Sequence, residues 1–312
     1  MRPEIVIVGP LYPPTQERLE RLFVVHRLWQ AADRAALLRA IAPRVRGLAV
    51  YALDPCPADL IAALPRLEII ACFGIGVDRI DLASARARGI RVTNTPDVVT
   101  DATADLALGL ILAVERRIAE GDRFVRRGDW RTGALRFGRS LGGRRLGILG
   151  FGRIGRAIAT RAAAFGMTIA YGGPRQKPDI PYPFFADAAA LAEWSEILVV
   201  ACPGGAATRH LVNQPVLEAL GPAGTLINIA RGSVVDEAAL VAALQAGKLG
   251  AAGLDVFADE PFVPKALTEM DNVVLTPHIG SATHQTRAAM GDLLIANLTA
   301  HFAGRPLPTP VI

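Results

Sequence analysis

Short, nearly continuous apolar runs alternate along this chain with longer stretches in which leucine and alanine recur at helical spacing. Glu4–Val8 reads as a buried strand closed by Gly9-Pro10, and 15–23 as a helix with Leu19 and Leu22 on one face. Strands follow at 23–26, 45–51, 67–73 and 91–93, and helices at 33–41, 58–64 and 82–88. Strands alternating with helices of this size call for a parallel sheet covered on both faces. Pro96-Asp97 reads as a hinge into a second unit. There Asp101 is the expected N-cap of one long helix from Ala102 to about Arg127, ended by Gly128-Asp129-Trp130. After a loop to Gly143, strands are expected near 145–149, 168–171, 197–201, 225–229, 251–254 and 273–275. A last helix, 285–302, stops at Gly304-Arg305-Pro306 and is expected to pack back on the first unit. The pattern therefore gives two doubly wound α/β domains, residues 1–97 completed by 284–312, and residues 98–283.

The second unit opens with a glycine turn between a strand and a helix: Gly150-Phe151-Gly152-Arg153-Ile154-Gly155, followed by helix formers expected from Arg156 to Phe165. In a dinucleotide fingerprint the first glycine permits the tight turn, the second lets the backbone approach a pyrophosphate, and the third allows close helix–strand packing. Backbone N–H groups at the helix start then face the phosphates. The strand–turn–helix context is what distinguishes this from an incidental turn in a chain with 30 glycines.

The next strand, Met167–Tyr171, would end on an acid in an NAD site. Here Gly172-Gly173-Pro174-Arg175-Gln176-Lys177 follows, and no carboxylate appears before Asp179. Two cations in place of an acid suit a 2′-phosphate, so Gly173, Arg175 and Lys177 are read as its binding loop and NADPH as the preferred cofactor, with NAD possible. By the same logic an Asp installed at Gly172 should turn the preference toward NADH. The competing reading is two cations on a solvated loop.

Composition narrows the class. The chain has 312 residues, 51% hydrophobic, 20% charged and 6% aromatic, which is a globular α/β composition and not a disordered one. No apolar run reaches membrane-spanning length, and the strand at Glu4 leaves no room for a signal peptide. Cys56, Cys72 and Cys202 are odd in number and unclustered, suggesting neither a disulfide framework nor a metal site; a reducing cytoplasm fits. The net charge of +5 comes from scattered arginines without interleaved aromatics, which favours anionic small molecules over nucleic acid.

Ligands of open α/β sheets bind at the carboxyl ends of the strands. Three polar residues fall there: Arg231 after the strand at 225–229, Glu260 after 251–257, and His278 after 273–275. Reduction of a ketone needs a proton donor at the carbonyl oxygen, a role for a His beside a carboxylate. An Arg fork could hold an oxo acid's carboxylate bidentately. Singly, the three could be a surface cation, a turn residue before Pro261 and a buried His; their joint placement favours a site. In the first unit, Gly74-Ile75-Gly76-Val77 could present consecutive N–H groups as an anion nest, or could simply be a turn needing positive φ.

With these motifs in view the sequence resembles the D-2-hydroxyacid dehydrogenase family, in its glyoxylate/hydroxypyruvate reductase branch. The resemblance is carried by Phe73–Asp78, Thr95–Leu106, Gly150–Gly155, Asn228–Asp236, Gly253–Pro261 and Thr276–Thr283, in that order. It implies two Rossmann-like domains with an active-site cleft between them, the first closed by the C-terminal helix. It implies that Arg231 binds and orients a 2-oxo acid, that His278 is the general acid/base, and that Glu260 is its partner. Leu53 and the amides around Gly74, Ile75, Gly76 and Val77 would meet the substrate. Asp255 and the Ala230 carbonyl would receive the nicotinamide carboxamide, with Thr103, His278 and Gly280 near that end; Cys202-Pro203 would lie along the adenosine, and Thr208 completes the cofactor set. Homodimerisation through 101–143 is implied as well.

Glyoxylate and hydroxypyruvate fit the branch, while a bulkier hydroxyphenylpyruvate or 2-ketogluconate stays open, since nothing at Tyr51-Ala52-Leu53 is diagnostic of one substrate. A non-enzymatic alternative is an NAD(H)-sensing corepressor of the same fold. L-specific dehydrogenases are disfavoured, because their glycine fingerprint lies near the N-terminus.

Overall fold

In the computed structural model, which describes residues 2–312, the apolar runs Ile69–Phe73 and Ile197–Val200 are buried at every position. Strands covered on both faces must be. The chain divides into two units, one of residues up to Val99 together with Ala282–Ile312, the other Thr100–Ser281.

The first unit alternates β1 (Glu4–Ile7), α1 (Pro13–Leu22), β2 (Val24–Arg27), α2 (Arg34–Ile41), β3 (Val45–Tyr51), α3 (Ala58–Ala62), β4 (Ile69–Phe73), α4 (Leu82–Ala87) and β5 (Arg91–Thr93). The five strands are parallel in the order β2-β1-β3-β4-β5, a doubly wound topology. Asp33 and Asp81 start α2 and α4 by accepting the amides of Ala36 and Ser84.

The second unit begins with α5 (Thr100–Glu115) and α6 (Ile118–Arg126). The single long helix expected here is broken, and Arg117 stands in the left-handed region at φ 54°. The returning segment supplies the cause. The Arg139 amide takes the Glu115 carbonyl at 2.7 Å, and the fully buried Glu115 carboxylate accepts from Thr225 at 2.6 Å and from Arg139 and Arg144. Captured at that point, the helix cannot run on in register. Asp101 also departs from expectation: it sits inside the first turn of α5, paired with Arg161 at 2.9 Å, and is not a cap preceding it.

The sheet follows with β6 (Arg145–Leu149), α7 (Arg153–Ala164), β7 (Thr168–Gly172), β8 (Phe184–Phe185), α8 (Ala188–Trp194), β9 (Ile197–Val200), α9 (Gln214–Leu220), β10 (Thr225–Asn228), α10 (Glu237–Gln245), β11 (Ala251–Leu254), α11 (Lys265–Thr268) and β12 (Val273–Leu275). Seven parallel strands lie in the order β12-β11-β10-β9-β6-β7-β8. The order reverses between β6 and β9, so the loops after these two strands flank the topological switch point, where open sheets bind ligands.

The chain then returns to the first unit as α12 (His284–Phe302). Met290, Leu294, Ile295 and Leu298 pack on Ile5, Ile7, Leu19 and Phe73, each buried side chain worth about 1.5–3 kcal/mol. Gly291 lets α12 approach α1, since a Cβ there would lie 2.0 Å from the Thr15 hydroxyl. His301 and Arg46 both reach the Glu68 carboxylate, at 3.1 Å and 2.7 Å.

Candidate active site

The glycine turn at the switch point is dictated by close approach. Gly150 takes φ 99°, and a Cβ on it would lie 2.4 Å from the Cys202 amide nitrogen; one on Gly155 would lie 2.3 Å from the Gly150 carbonyl oxygen. A Cβ on Gly152, by contrast, would meet nothing within 4 Å. Gly152 is also the N-cap of α7, which starts at Arg153, earlier than the expected Arg156, and has no side-chain cap. The helices α8, α9 and α10 are capped by Asp187, Asn213 and Asp236. A helix start with no side-chain cap, opening on free space at Gly152, fits a pyrophosphate, so the residues present suit a dinucleotide. Arg153 is exposed and Ile154 half-buried, while Phe151 is buried under the turn against Tyr171, ring centroids 4.6 Å apart.

Beyond β7 the loop 173–177 is tied down by Tyr171, whose phenol oxygen accepts the Lys177 amide at 2.8 Å. That anchor was not foreseen; a lone tyrosine at a strand end gives no such signal. Arg175 is exposed and Lys177 half-buried. Asp179 is occupied by Arg156 at 2.9 Å, which holds its carboxyl below the usual range. Gly172 is buried in the strand, and a Cβ on it would lie 3.0 Å from Leu191 and 3.2 Å from the Phe185 carbonyl oxygen, a tight fit for a new acid. Gly173 is the open position, with nothing within 4 Å of an added Cβ.

On the other side of the switch point, Thr208 donates to the Pro203 carbonyl at 2.7 Å and closes the loop that begins at Cys202. Burial pushes the Cys202 thiol up to about 11, leaving it uncharged beside the glycine turn.

The catalytic candidates come from three consecutive strand ends. After β10, the buried Asn228 donates to the Arg231 carbonyl at 3.0 Å and accepts the Ala230 amide at 3.1 Å, which shapes the turn that presents Arg231. A buried amide side chain at the end of an apolar strand was the available signal for that role, and it went unread. Gly232 abuts the backbone of Phe257; a Cβ on it would fall 1.9 Å from the Phe257 carbonyl carbon. Arg231 is half-buried and also donates to the Ala230 carbonyl at 2.8 Å, using one of that oxygen's two lone pairs.

After β11, Asp255 is 1% exposed and organises the turn after β12. Its Oδ1 accepts from the Thr276 hydroxyl at 2.7 Å and the Ile279 amide at 2.8 Å, and its Oδ2 from the Gly280 amide at 2.9 Å. Its carbonyl accepts the His278 amide at 2.9 Å. Burial raises the Asp255 carboxyl, against these hydrogen bonds and the charge of His278. Thr103 on α5 lies against Gly280, 3.4 Å from where a Cβ would stand.

Held in this way, His278 adopts φ 52° and points Nδ1 at Glu260 Oε2, 2.8 Å away. Glu260 Oε1 accepts the Phe257 amide at 3.1 Å. Burial pushes the Glu260 carboxyl up, but hydrogen bonds from His278 and Phe257 and the charges of His278 and Arg231 outweigh it and hold it below the usual carboxylate range. An ionised Glu260 can only accept, so Nδ1 carries the proton and Nε2 is left for a reacting group. Arg231, Glu260 and His278 thus share one electrostatic neighbourhood.

In the first unit, Gly74 at φ 155° lets the chain pass Ala52, whose Cβ would be 2.4 Å from a Cβ there. Gly76 does not have positive φ. The Leu53 carbonyl accepts from Arg79 at 2.9 Å and the Ile75 carbonyl from Asn94 at 2.8 Å. Among the described residues the amides of Ile75, Gly76 and Val77 donate to no protein acceptor, as an anion nest requires.

The model of the D-isomer specific 2-hydroxyacid dehydrogenase NAD-binding domain matches residues 108–280, more than half of the chain. Hydroxyphenylpyruvate reductase of Plectranthus scutellarioides is 47% identical over 308 residues, covering 99% of this chain and 98% of its own. A glyoxylate/hydroxypyruvate reductase A of Arabidopsis thaliana matches at the same identity and coverage. The solved NADPH-dependent glyoxylate/hydroxypyruvate reductase of Sinorhizobium meliloti, in complex with NADP and malonate, superposes with a TM-score of 0.95 at 46% identity, covering 100% of this chain and 97% of that one. The chain belongs to the D-isomer specific 2-hydroxyacid dehydrogenase family. Within it, the chain falls in the branch whose members are called glyoxylate/hydroxypyruvate reductases, and it is an NAD(P)-dependent reductase; the corepressor alternative is not favoured.

Proposed function

We propose that this protein uses NADPH to reduce a small 2-oxo acid, glyoxylate or hydroxypyruvate, to the 2-hydroxy acid, in the D configuration where the product is chiral. The observation that carries the reading is the Glu260–His278 pair at 2.8 Å with the charge of Arg231 acting on it. When bound, the reduced nicotinamide supplies the hydride that adds to the carbonyl carbon. His278 holds a proton on Nε2 for the carbonyl oxygen, and Glu260 fixes the ring and balances the imidazolium before transfer. Arg231 orients the oxo acid through its planar fork. The Ile75–Val77 amides are read as a carboxylate nest. Asp255, by holding 276–280, is a positioning residue for His278.

For the cofactor, the absence of an acid after β7, together with Arg175 and Lys177, supports NADPH over NADH. The Sinorhizobium meliloti relative, NADPH-dependent by name, points the same way. The bulkier hydroxyphenylpyruvate is the second reading, supported by the Plectranthus scutellarioides relative.

We also read the segment 118–137 as the surface on which a second copy docks. α6 has no buried residue, and Ile118, Val125, Trp130 and Phe137 are all exposed, Phe137 at 99%. Apolar side chains clustered on one arm mark an interaction surface. No described helix is long and apolar enough to cross a membrane.

The test is oxidation of NADPH by the purified protein with glyoxylate, hydroxypyruvate and hydroxyphenylpyruvate, beside the His278→Ala variant. Turnover of the two small acids, lost in the variant, is expected. Turnover of hydroxyphenylpyruvate alone would move the substrate to the second reading, and no turnover of any would remove the proposal.

A further inference from the structure

Arg287 lies in the first unit, one turn into α12, and the readings above leave it without a role. Its guanidinium sits over two rings, 5.3 Å from the centroid of Tyr51 and 5.8 Å from that of Phe73, and Nη2 donates to the Tyr51 hydroxyl at 3.1 Å. Tyr51 ends β3, Phe73 ends β4, and the two are paired across the sheet. The cation is therefore fixed at the carboxyl ends of adjacent parallel strands, and Phe73 leads directly into the loop Gly74–Val77.

The placement is costly for folding alone. A positive charge near a helix N-terminus opposes the helix dipole. Partial burial of an ion without a counter-ion adds a desolvation cost. Arg27, Arg44 and Arg46 of the same unit each pair with a glutamate, Glu20, Glu4 and Glu68 respectively. Among the described residues Arg287 has no carboxylate partner; it has a hydroxyl and two aromatic faces, which fix its direction and leave its charge uncompensated. A cation without a carboxylate partner, held over the residue that leads into a loop of three undonated amides, is matched to an external anion.

We propose that Arg287 is a further binding residue for the carboxylate of the 2-oxo acid, adding a full charge to the dipoles of the Ile75–Val77 amides, with Tyr51 and Phe73 as its positioning residues. This rests on the reductase reading for the identity of the anion.

Kinetics with glyoxylate and calorimetry with oxalate, a carboxylate that cannot be reduced, test it on the NADP-loaded protein. Arg287→Gln should raise the glyoxylate KM and the oxalate Kd by about 10- to 100-fold, the range of one hydrogen bond to a charged group. The NADPH Kd should not move, and the melting temperature should hold or rise. Arg287→Lys should lie between, and Tyr51→Phe should raise KM by only a few-fold. Unchanged oxalate affinity in Arg287→Gln would overturn the assignment, whatever happens to its stability. If that variant does not fold, unchanged KM in both Arg287→Lys and Tyr51→Phe would overturn it equally. A wild-type protein that reduces no 2-oxo acid yet binds oxalate more tightly than Arg287→Gln would sink the reductase reading and leave the anion site standing.

Discussion

Glu260 accepts the Nδ1 proton of His278 at 2.8 Å, while its other carboxylate oxygen is held by the Phe257 amide. The ring is thereby fixed in one tautomer, with the remaining nitrogen presented for chemistry. His278→Ala should lower kcat by about 10²–10⁴-fold with NADPH binding intact. A variant within a few-fold of wild type in single-turnover kinetics would remove His278 from the chemical step.

Glu260→Gln keeps the shape but removes the counter-charge of the imidazolium. The alkaline limb of the kcat/KM profile for reduction, where the donated proton is lost, should then move to lower pH. The same carboxylate contributes to folding: its folded-state pKa is depressed below 4.5, so its contribution is complete above that value and lost as pH falls through the lower folded pKa. Asp255, raised by burial, acts in the opposite sense over the neighbouring window. Acid unfolding followed by circular dichroism should therefore be shallower in Glu260→Gln than in wild type.

Arg231→Lys retains charge and loses the fork. A higher KM and a lower kcat are expected at an unchanged melting temperature. The reverse pattern, normal kinetics with a lower melting temperature, would make Arg231 a fastening of the turn after β10.

Cofactor choice can be read at the loop after β7. Neutralising Arg175 and Lys177 together should weaken NADPH and spare NADH, shifting their ratio by roughly ten- to a few hundred-fold if one or two charged hydrogen bonds of ~1.5–3 kcal/mol are lost. Gly173→Asp should push the same way, offering the ribose an acceptor and the phosphate a like charge. Gly172→Asp should instead destabilise the fold against Leu191 and the Phe185 carbonyl. Equal weakening of both cofactors by the double replacement would show that backbone contacts set the preference.

Replacing Trp130 and Phe137 by serine should convert a dimer to a monomer in size-exclusion chromatography with light scattering. A monomeric wild type would remove the docking reading for 118–137.

The strand positions and the parallel, doubly wound class were legible in the sequence because buried parallel strands write themselves as apolar runs, and the glycine turn because close approach at Gly150 and Gly155 excludes a side chain. What stayed hidden was tertiary. Glu115-Arg116-Arg117 are good helix formers, and only the capture of the Glu115 carbonyl by the Arg139 amide, 24 residues on, breaks the helix there. The difference between Gly172 and Gly173 was equally invisible, since it depends on Leu191 from another helix. The proximity of Glu260 and His278 had a linear trace in their strand-end positions, but Asp255 as organiser of 276–280 needed the turn's geometry.

The absence of a side-chain cap on α7 couples the stability of this protein to its dinucleotide. Where neighbouring helices carry their own Asp or Asn cap, α7 has none, and a bound pyrophosphate would take that place. A ligand that binds only the folded chain adds about 2.7 kcal/mol of stability at a hundred times its Kd. Saturating nucleotide should therefore raise the melting temperature of this protein and slow its proteolysis.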